Sequence, residues 1–121
     1  MGRRKSNKKP FTLTIPGRPR PKGRPRLGRG GRVFTPKATL EAENNIRGEY
    51  LKQNGPFYDQ PLQVDIIYTT QETEITLTPI GEHSTKLTAD VDNLIKTTLD
   101  GLQGAAFDND RLVMVVTAVK Q

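Results

Sequence analysis

Between Thr88 and Val113 the chain carries Asp90, Asp92, Asp100, Asp108 and Asp110, five of its thirteen carboxylates. On an extended backbone Asp90 and Asp92, two residues apart, turn to the same side. From Asp92 onward the spacing becomes helical. Leu94, Ile95, Thr98, Leu99 and Leu102 form one apolar stripe, while Asp92, Lys96 and Asp100 follow at intervals of four along another. Asp92 is expected to cap this helix, its carboxylate facing the free amides at the positive dipole end. Gly104 is expected to stop it. The loop Asp108-Asn109-Asp110 then leads into an apolar strand, residues 112–119. With that strand beside the one ending at Asp90, the carboxylates of Asp90, Asp92 and Asp110 converge, and Lys96 lies one helical turn away. Carboxylates held that close repel unless a cation lies between them. Oxygen-only donors select a hard ion, Mg²⁺ or Mn²⁺, and such ions commonly bring phosphate chemistry with them. A purely structural account competes with this one: Asp92 as a cap, Lys96 and Asp100 as a surface pair, Asp108-Asn109-Asp110 as a turn.

The elements that must position these residues can be read outward from them. Phe11, Leu13 and Ile15 alternate with Thr12 and Thr14, a short strand ending at Pro16-Gly17. Thr35-Pro36 marks a helix start, a hydroxyl cap followed by proline at the first helical position, and the helix is expected to reach about Gln53, burying Ala42, Ile46 and Tyr50 before Asn54-Gly55-Pro56 ends it. Leu62, Val64, Ile66 and Tyr68 alternate with polar residues as a half-buried strand, and a weaker strand follows around Ile75 to Thr78. His83, the single histidine, has no partner nearby in sequence and is expected as an exposed loop residue rather than a ligand. The order strand, basic loop, helix, two strands, helix, strand indicates an α/β (α+β) single domain, a mixed β-sheet with two helices packed on it and a basic loop after the first strand.

Charge is segregated along the chain. Residues 1–37 hold thirteen Lys and Arg and no acid; residues 38–121 hold the other six bases and all thirteen acids. A basic arm beside an acidic body suits a polyanion held by one part while the other acts on it or holds a metal. The stretch Arg18, Arg20, Lys22, Arg24, Arg26, Arg29 and Arg32, with Lys37 just beyond, is interspersed with Pro and Gly, which preclude a helix. An extended or mobile loop presenting cations to phosphates, with backbone contact favoured over base reading, is expected there. Residues 1–10 are expected as a disordered basic tail, and 11–121 as the folded domain. No apolar run is long enough to span a membrane, no secretory segment is evident, and cysteine is absent, which excludes disulfides and thiolate metal sites. A cytoplasmic protein fits these features.

Asp90-Val-Asp92-Asn93-Leu-Ile-Lys96, followed by Asp100 and by Asp110 three residues before Val113, resembles the signature of the RusA family of Holliday junction resolvases. Pro16-Gly17-Arg18-Pro-Arg20-Pro-Lys22, Arg24-Pro25-Arg26 and Phe34-Thr35-Pro36 look like the first-loop pattern of its phage and prophage branch. The resemblance spans about Phe11 to Lys120. It implies a homodimer that depends on Mg²⁺ and makes paired nicks across four-way DNA junctions in recombination and repair. By motif position it places the metal-binding, catalytic aspartates on Asp90, Asp92 and Asp110 and the essential lysine on Lys96, with Asn93 and Asp100 in supporting positions. Asp110 takes the third acidic position, rather than Asp108, because it stands three residues before the strand valine. No small-molecule cofactor and no membrane partner are implied. The competing functions are a non-catalytic basic nucleic-acid-binding protein, a relative that binds branched DNA without resolving it, and a less selective branched-DNA nuclease.

Overall fold

Alternation of apolar and polar residues at period two builds one sheet. The structure, a computed structural model, describes residues 9–23 and 25–121 and, at Arg26, the backbone alone. The chain divides into two compact units, residues 1–81 and 82–121.

In the first unit β1 (Phe11–Pro16), β5 (Glu72–Pro79) and β4 (Leu62–Tyr68) form a three-stranded antiparallel sheet in the order β1-β5-β4. The register sets Leu13 and Ile66 on either side of Ile75, and Phe11 and Val64 on either side of Leu77. One face is therefore apolar across all three strands. The other carries Thr12 and Thr76, whose hydroxyls meet at 3.0 Å. β4 and β5 join through a turn in which the Thr69 hydroxyl accepts from the amides of Gln71 and Glu72 at 3.2 and 3.1 Å. Helix α1 (Lys37–Lys52) lies against β1, with Tyr50 edge-on to Phe11 at 5.5 Å between ring centroids, and Gln53 just beyond its end donates to the Thr14 carbonyl at 3.0 Å. Leu13 and Ile15 are buried as a result, each worth about 1.5–3 kcal/mol against its exposed state. The helix covers only the β1 side of the face. Val64, Ile66 and Tyr68 on β4 stay exposed, so β4 is less buried than its alternation suggests, and Ile46 lines a cleft instead of filling a core.

Thr39, the buried polar residue of α1, accepts a hydrogen bond from the Gly23 amide at 2.8 Å. A Cβ on Gly23 would stand 2.9 Å from that hydroxyl and 3.0 Å from the Pro36 ring. Glycine thus lets the basic segment lie directly on the start of α1, and Pro36 rather than Thr35 is the capping position. Beyond Gly23 the basic stretch is no plain loop. Its backbone forms a small antiparallel hairpin of β2 (Arg26–Leu27) and β3 (Val33–Phe34).

The second unit is built around α2 (Val91–Leu102). Its apolar stripe, including Leu94, Ile95 and Leu99, faces residues 116–120 across a cleft of about 190 Å³. A turn follows the helix: Gly104, at φ +89°, donates to the Phe107 carbonyl at 2.6 Å, and the amides of Ala105 and Ala106 donate to Leu102 at 3.0 and 2.8 Å. Gly104 is the stop its position suggests, because the left-handed conformation favours a residue without Cβ.

The class is the expected one, α+β with two helices and a three-stranded sheet. Two expected strands do not form ladders. The segment before Asp90 is irregular, and residues 112–119 give a 3-10 turn at Asp110–Leu112 followed by unpaired chain, so every strand pair found is antiparallel. A run rich in valine fits a pleated surface but pairs only where a free edge meets it. No helix among the described residues is long and apolar enough to cross a membrane. The expected basic tail, 1–10, lies outside the described residues except for Lys9 and Pro10.

Candidate metal and DNA-binding site

Asp90, not Asp92, occupies the capping position of α2; its backbone is extended (φ −67°, ψ 144°) and its carboxylate accepts no capping hydrogen bond. The two aspartates have the same residue type and a spacing of two, and the helix starts at Val91, two residues earlier than a cap at Asp92 implies. Asp92 falls in the first turn, where the positive end of the helix favours an acid. Both carboxylates therefore stand at one helix end, exposed and not turned back into the helix.

Lys96 lies one turn along and is exposed, while Ile95 and Leu99 beside it are half-buried against the C-terminal segment. The structural alternative pairs Lys96 with Asp92 or Asp100. Among the described residues the ion pairs are Lys22–Glu43, Lys37–Glu41 and Lys52–Glu49, and Lys96 is in none of them. Asn93 is exposed on the first turn, and Asp100 lies near the far end of the helix. At about 1.5 Å per residue, the eight-residue separation of Asp92 and Asp100 places them roughly 12 Å apart along the axis.

Asp110 opens the 3-10 turn after Asn109, whose side chain accepts from the Arg111 amide at 2.9 Å and from its guanidinium at 3.3 Å. Asp108 precedes that cap. Among the described residues no three acidic or histidine side chains lie close enough together to hold a metal ion. The expected convergence of Asp90, Asp92 and Asp110 is thus not present in this arrangement. It depended on a ladder between 112–119 and the segment before Asp90, and without the ladder nothing pins Asp110 to the helix end.

The C-terminal segment nevertheless reaches the chain before Asp90. Lys120 donates from Nζ to the Ala89 carbonyl at 3.1 Å, and the Thr85 hydroxyl donates to Gln121 at 3.2 Å. His83 is half-buried rather than exposed as expected, its Nε2 against the carbonyl of Lys120, far along the sequence. Lys120, a cation beside the residue preceding Asp90, is not among the residues that the sequence patterns single out. Its only signal was its place at the end of an apolar run.

The basic residues divide among several places. Arg18 and Arg20 border a cleft of about 690 Å³ between α1 and the sheet, lined also by Glu41, Asn45, Ile46 and Tyr68. Lys22 and Lys37 are partly neutralised by Glu43 and Glu41, each at 3.8 Å, though both pairs are exposed and weak. Arg29 and Arg32 stand exposed at the turn of the hairpin. Arg24 and the Arg26 side chain lie outside the described residues.

The family model for endodeoxyribonuclease RusA matches residues 16–121. The chain belongs to the RusA family. That family consists of endodeoxyribonucleases that act on DNA junctions, and the match takes in the basic segment, the helix-end aspartates, Lys96 and Asp110 together. No curated protein matches the chain. No solved structure matches it either.

The donor chemistry of this RusA-family chain fits a hard divalent cation, since the candidate ligands are carboxylates and cysteine is absent. Mg²⁺ keeps several waters and is commonly held by one or two carboxylates together with substrate phosphates. Asp90 and Asp92 at one helix end meet that requirement without a preassembled third ligand.

Proposed function

We propose that this RusA-family chain is a Mg²⁺-dependent endodeoxyribonuclease that resolves four-way DNA junctions by paired nicking, acting as a homodimer. The observation that carries the reading is the end of α2: two exposed carboxylates at its start and, one turn along, an ammonium with no ion-pair partner among the described residues. Asp90 and Asp92, joined by Asp110 in the DNA-bound state, would hold Mg²⁺, with Mn²⁺ as a substitute. When bound, the ion supplies a Lewis acid at the scissile phosphate and lowers the pKa of a bound water. Lys96 stabilises charge that develops on the phosphate or the departing oxygen. Asn93 and Asp100 support the helix from which these groups project. Arg18, Arg20, Lys22, Arg24, Arg26, Arg29, Arg32 and Lys37 neutralise the phosphates of the junction arms. Two copies related by a two-fold axis match the near two-fold symmetry of a four-way junction, so each cuts one strand. Residues 11–121 act as one nuclease domain in this reading, and the setting is recombination or repair in the cytoplasm of a bacterium, the gene being bacterial or phage-borne.

A second reading has an observation of its own. Among the described residues no three acidic or histidine side chains are gathered closely enough to hold a metal ion, which suits a protein that binds branched DNA without cutting it. Labelled four-way junction and linear duplex of the same sequence separate the two. The nuclease makes symmetrically placed nicks in the junction and leaves the duplex intact at the same protein concentration. Tight junction binding without nicks, in Mg²⁺ and in Mn²⁺, establishes the second reading. Equal nicking of both substrates identifies a nuclease without junction selectivity.

A further inference from the structure

The hairpin within the basic segment carries apolar side chains with little beneath them. Leu27 and Val33 face each other across β2 and β3, so they share one face, and they are 75% and 68% exposed. The reversal between them is tight: the Gly28 amide donates to the Arg32 carbonyl at 2.6 Å, and Gly30 and Gly31 take left-handed conformations at φ +74° and +77°. Phe34 supports the base of the turn, since a Cβ on Gly28 would stand 3.4 Å from its ring. Arg29 and Arg32 are exposed within the turn itself. A narrow, glycine-shaped finger therefore presents an apolar pair with guanidinium groups beside it.

The charge around this pair identifies its occupant. No acid occurs anywhere in residues 1–37, so the surface is matched to a polyanion and poorly suited to docking on a second copy of the same basic arm. In a polyanion, the apolar surface available between rows of phosphates is that of nucleic-acid bases. Proteins that kink or open DNA push apolar side chains between base steps while arginines hold adjacent phosphates. At a branch point stacking is already interrupted, which makes insertion least costly there.

We infer that the β2–β3 hairpin is a wedge: Leu27 and Val33 enter between unstacked bases at the branch point while Arg29 and Arg32 hold the flanking phosphates. The inference rests on the junction-binding reading above. It gives the basic segment a shape-reading task in addition to phosphate contact, so junction selectivity is located here while cleavage belongs to α2.

Fluorescence of 2-aminopurine tests it, with the base placed either at the branch point or in the middle of an arm and with EDTA present to prevent cutting. Wild-type protein should raise the branch-point emission and leave the mid-arm emission unchanged. A Leu27→Ser, Val33→Ser double variant should melt like wild type, because both side chains are exposed, and should keep its salt dependence of binding. Its branch-point emission should stay near that of free DNA, and its preference for junction over duplex should fall about ten-fold. Arg29→Gln with Arg32→Gln should do the opposite, flattening the salt dependence by about 0.9 per lost phosphate contact. Val33→Thr, which keeps shape and strand preference, serves as the milder variant and should give an intermediate signal. If the serine variant binds junctions and raises branch-point emission as wild type does, the wedge is overturned and the junction reading stands. If wild type binds junction no better than duplex, the junction reading itself fails and the wedge fails with it.

Discussion

Asp90→Asn, Asp92→Asn and Asp110→Asn are each expected to abolish junction cleavage while junction binding stays intact or tightens. Each change removes one carboxylate and leaves the shape of the side chain nearly unaltered, so folding gives no reason for a loss. Asp90 and Asp92 are exposed at the helix end, and the Asp90 carboxylate makes no capping hydrogen bond that asparagine would forfeit. Removing a negative charge also lowers repulsion of the phosphates, hence the tighter binding. Asp108→Asn is the internal control. Asp108 lies before the Asn109 cap, whereas Asp110 begins the turn itself. Single-turnover cleavage and gel-shift affinity, measured on the same preparations, check all four variants. Loss of cleavage in Asp108→Asn, with Asp110→Asn still active, would move the third ligand to Asp108.

Lys96→Met is expected to fold, to bind junctions and to cleave them about 10²–10³-fold more slowly, the usual worth of one preorganised electrostatic donor in a transition state. The structural alternative makes a very different forecast. A helix-surface pair with Asp92 or Asp100 contributes about 0.2–0.5 kcal/mol, too little to alter folding or rate appreciably. That pair is not formed, so the alternative has lost its interaction before any measurement is made. Lys96→Arg should recover only part of the rate, because a planar fork does not replace a compact ammonium. Unchanged melting together with a slowed single-turnover rate assigns the effect to chemistry. A near-normal rate in Lys96→Met removes the catalytic role.

The parts of the molecule legible in the sequence were those with a strong local period. The stripe from Leu94 to Leu102 located α2 to within two residues at its start, and Asn54-Gly55-Pro56 bounded α1. The alternations at Phe11–Ile15 and Leu62–Tyr68 gave β1 and β4. What sequence could not supply was pairing. Residues 112–119 have the composition of a strand, but a strand exists only through the edge it meets, and local propensity does not name that edge. The convergence of Asp110 on Asp90 depended on that pairing and was lost with it. The β2–β3 hairpin is hidden for a different reason. Arginine and proline dominate the segment, yet Leu27 and Val33 on either side of Gly28-Arg29-Gly30-Gly31-Arg32 were a readable signal, a glycine-rich reversal flanked by apolar residues. The exchange of Asp92 for Asp90 at the cap is smaller: both are good capping residues, and helix ends are the least sharply specified part of a helix.

The acids of α2 are expected to serve a metal-dependent cut at a DNA junction. A single titration tests it most directly: cleavage of a labelled four-way junction by the wild-type chain as Mg²⁺ is raised from zero in a chelated buffer, with binding followed in parallel. The expected result is binding throughout and no cleavage in chelator, with paired symmetrical nicks appearing as Mg²⁺ is added and disappearing when excess EDTA is restored. Nicks that persist unchanged in chelator, or a junction bound tightly but never cut in Mg²⁺ or Mn²⁺, would contradict it.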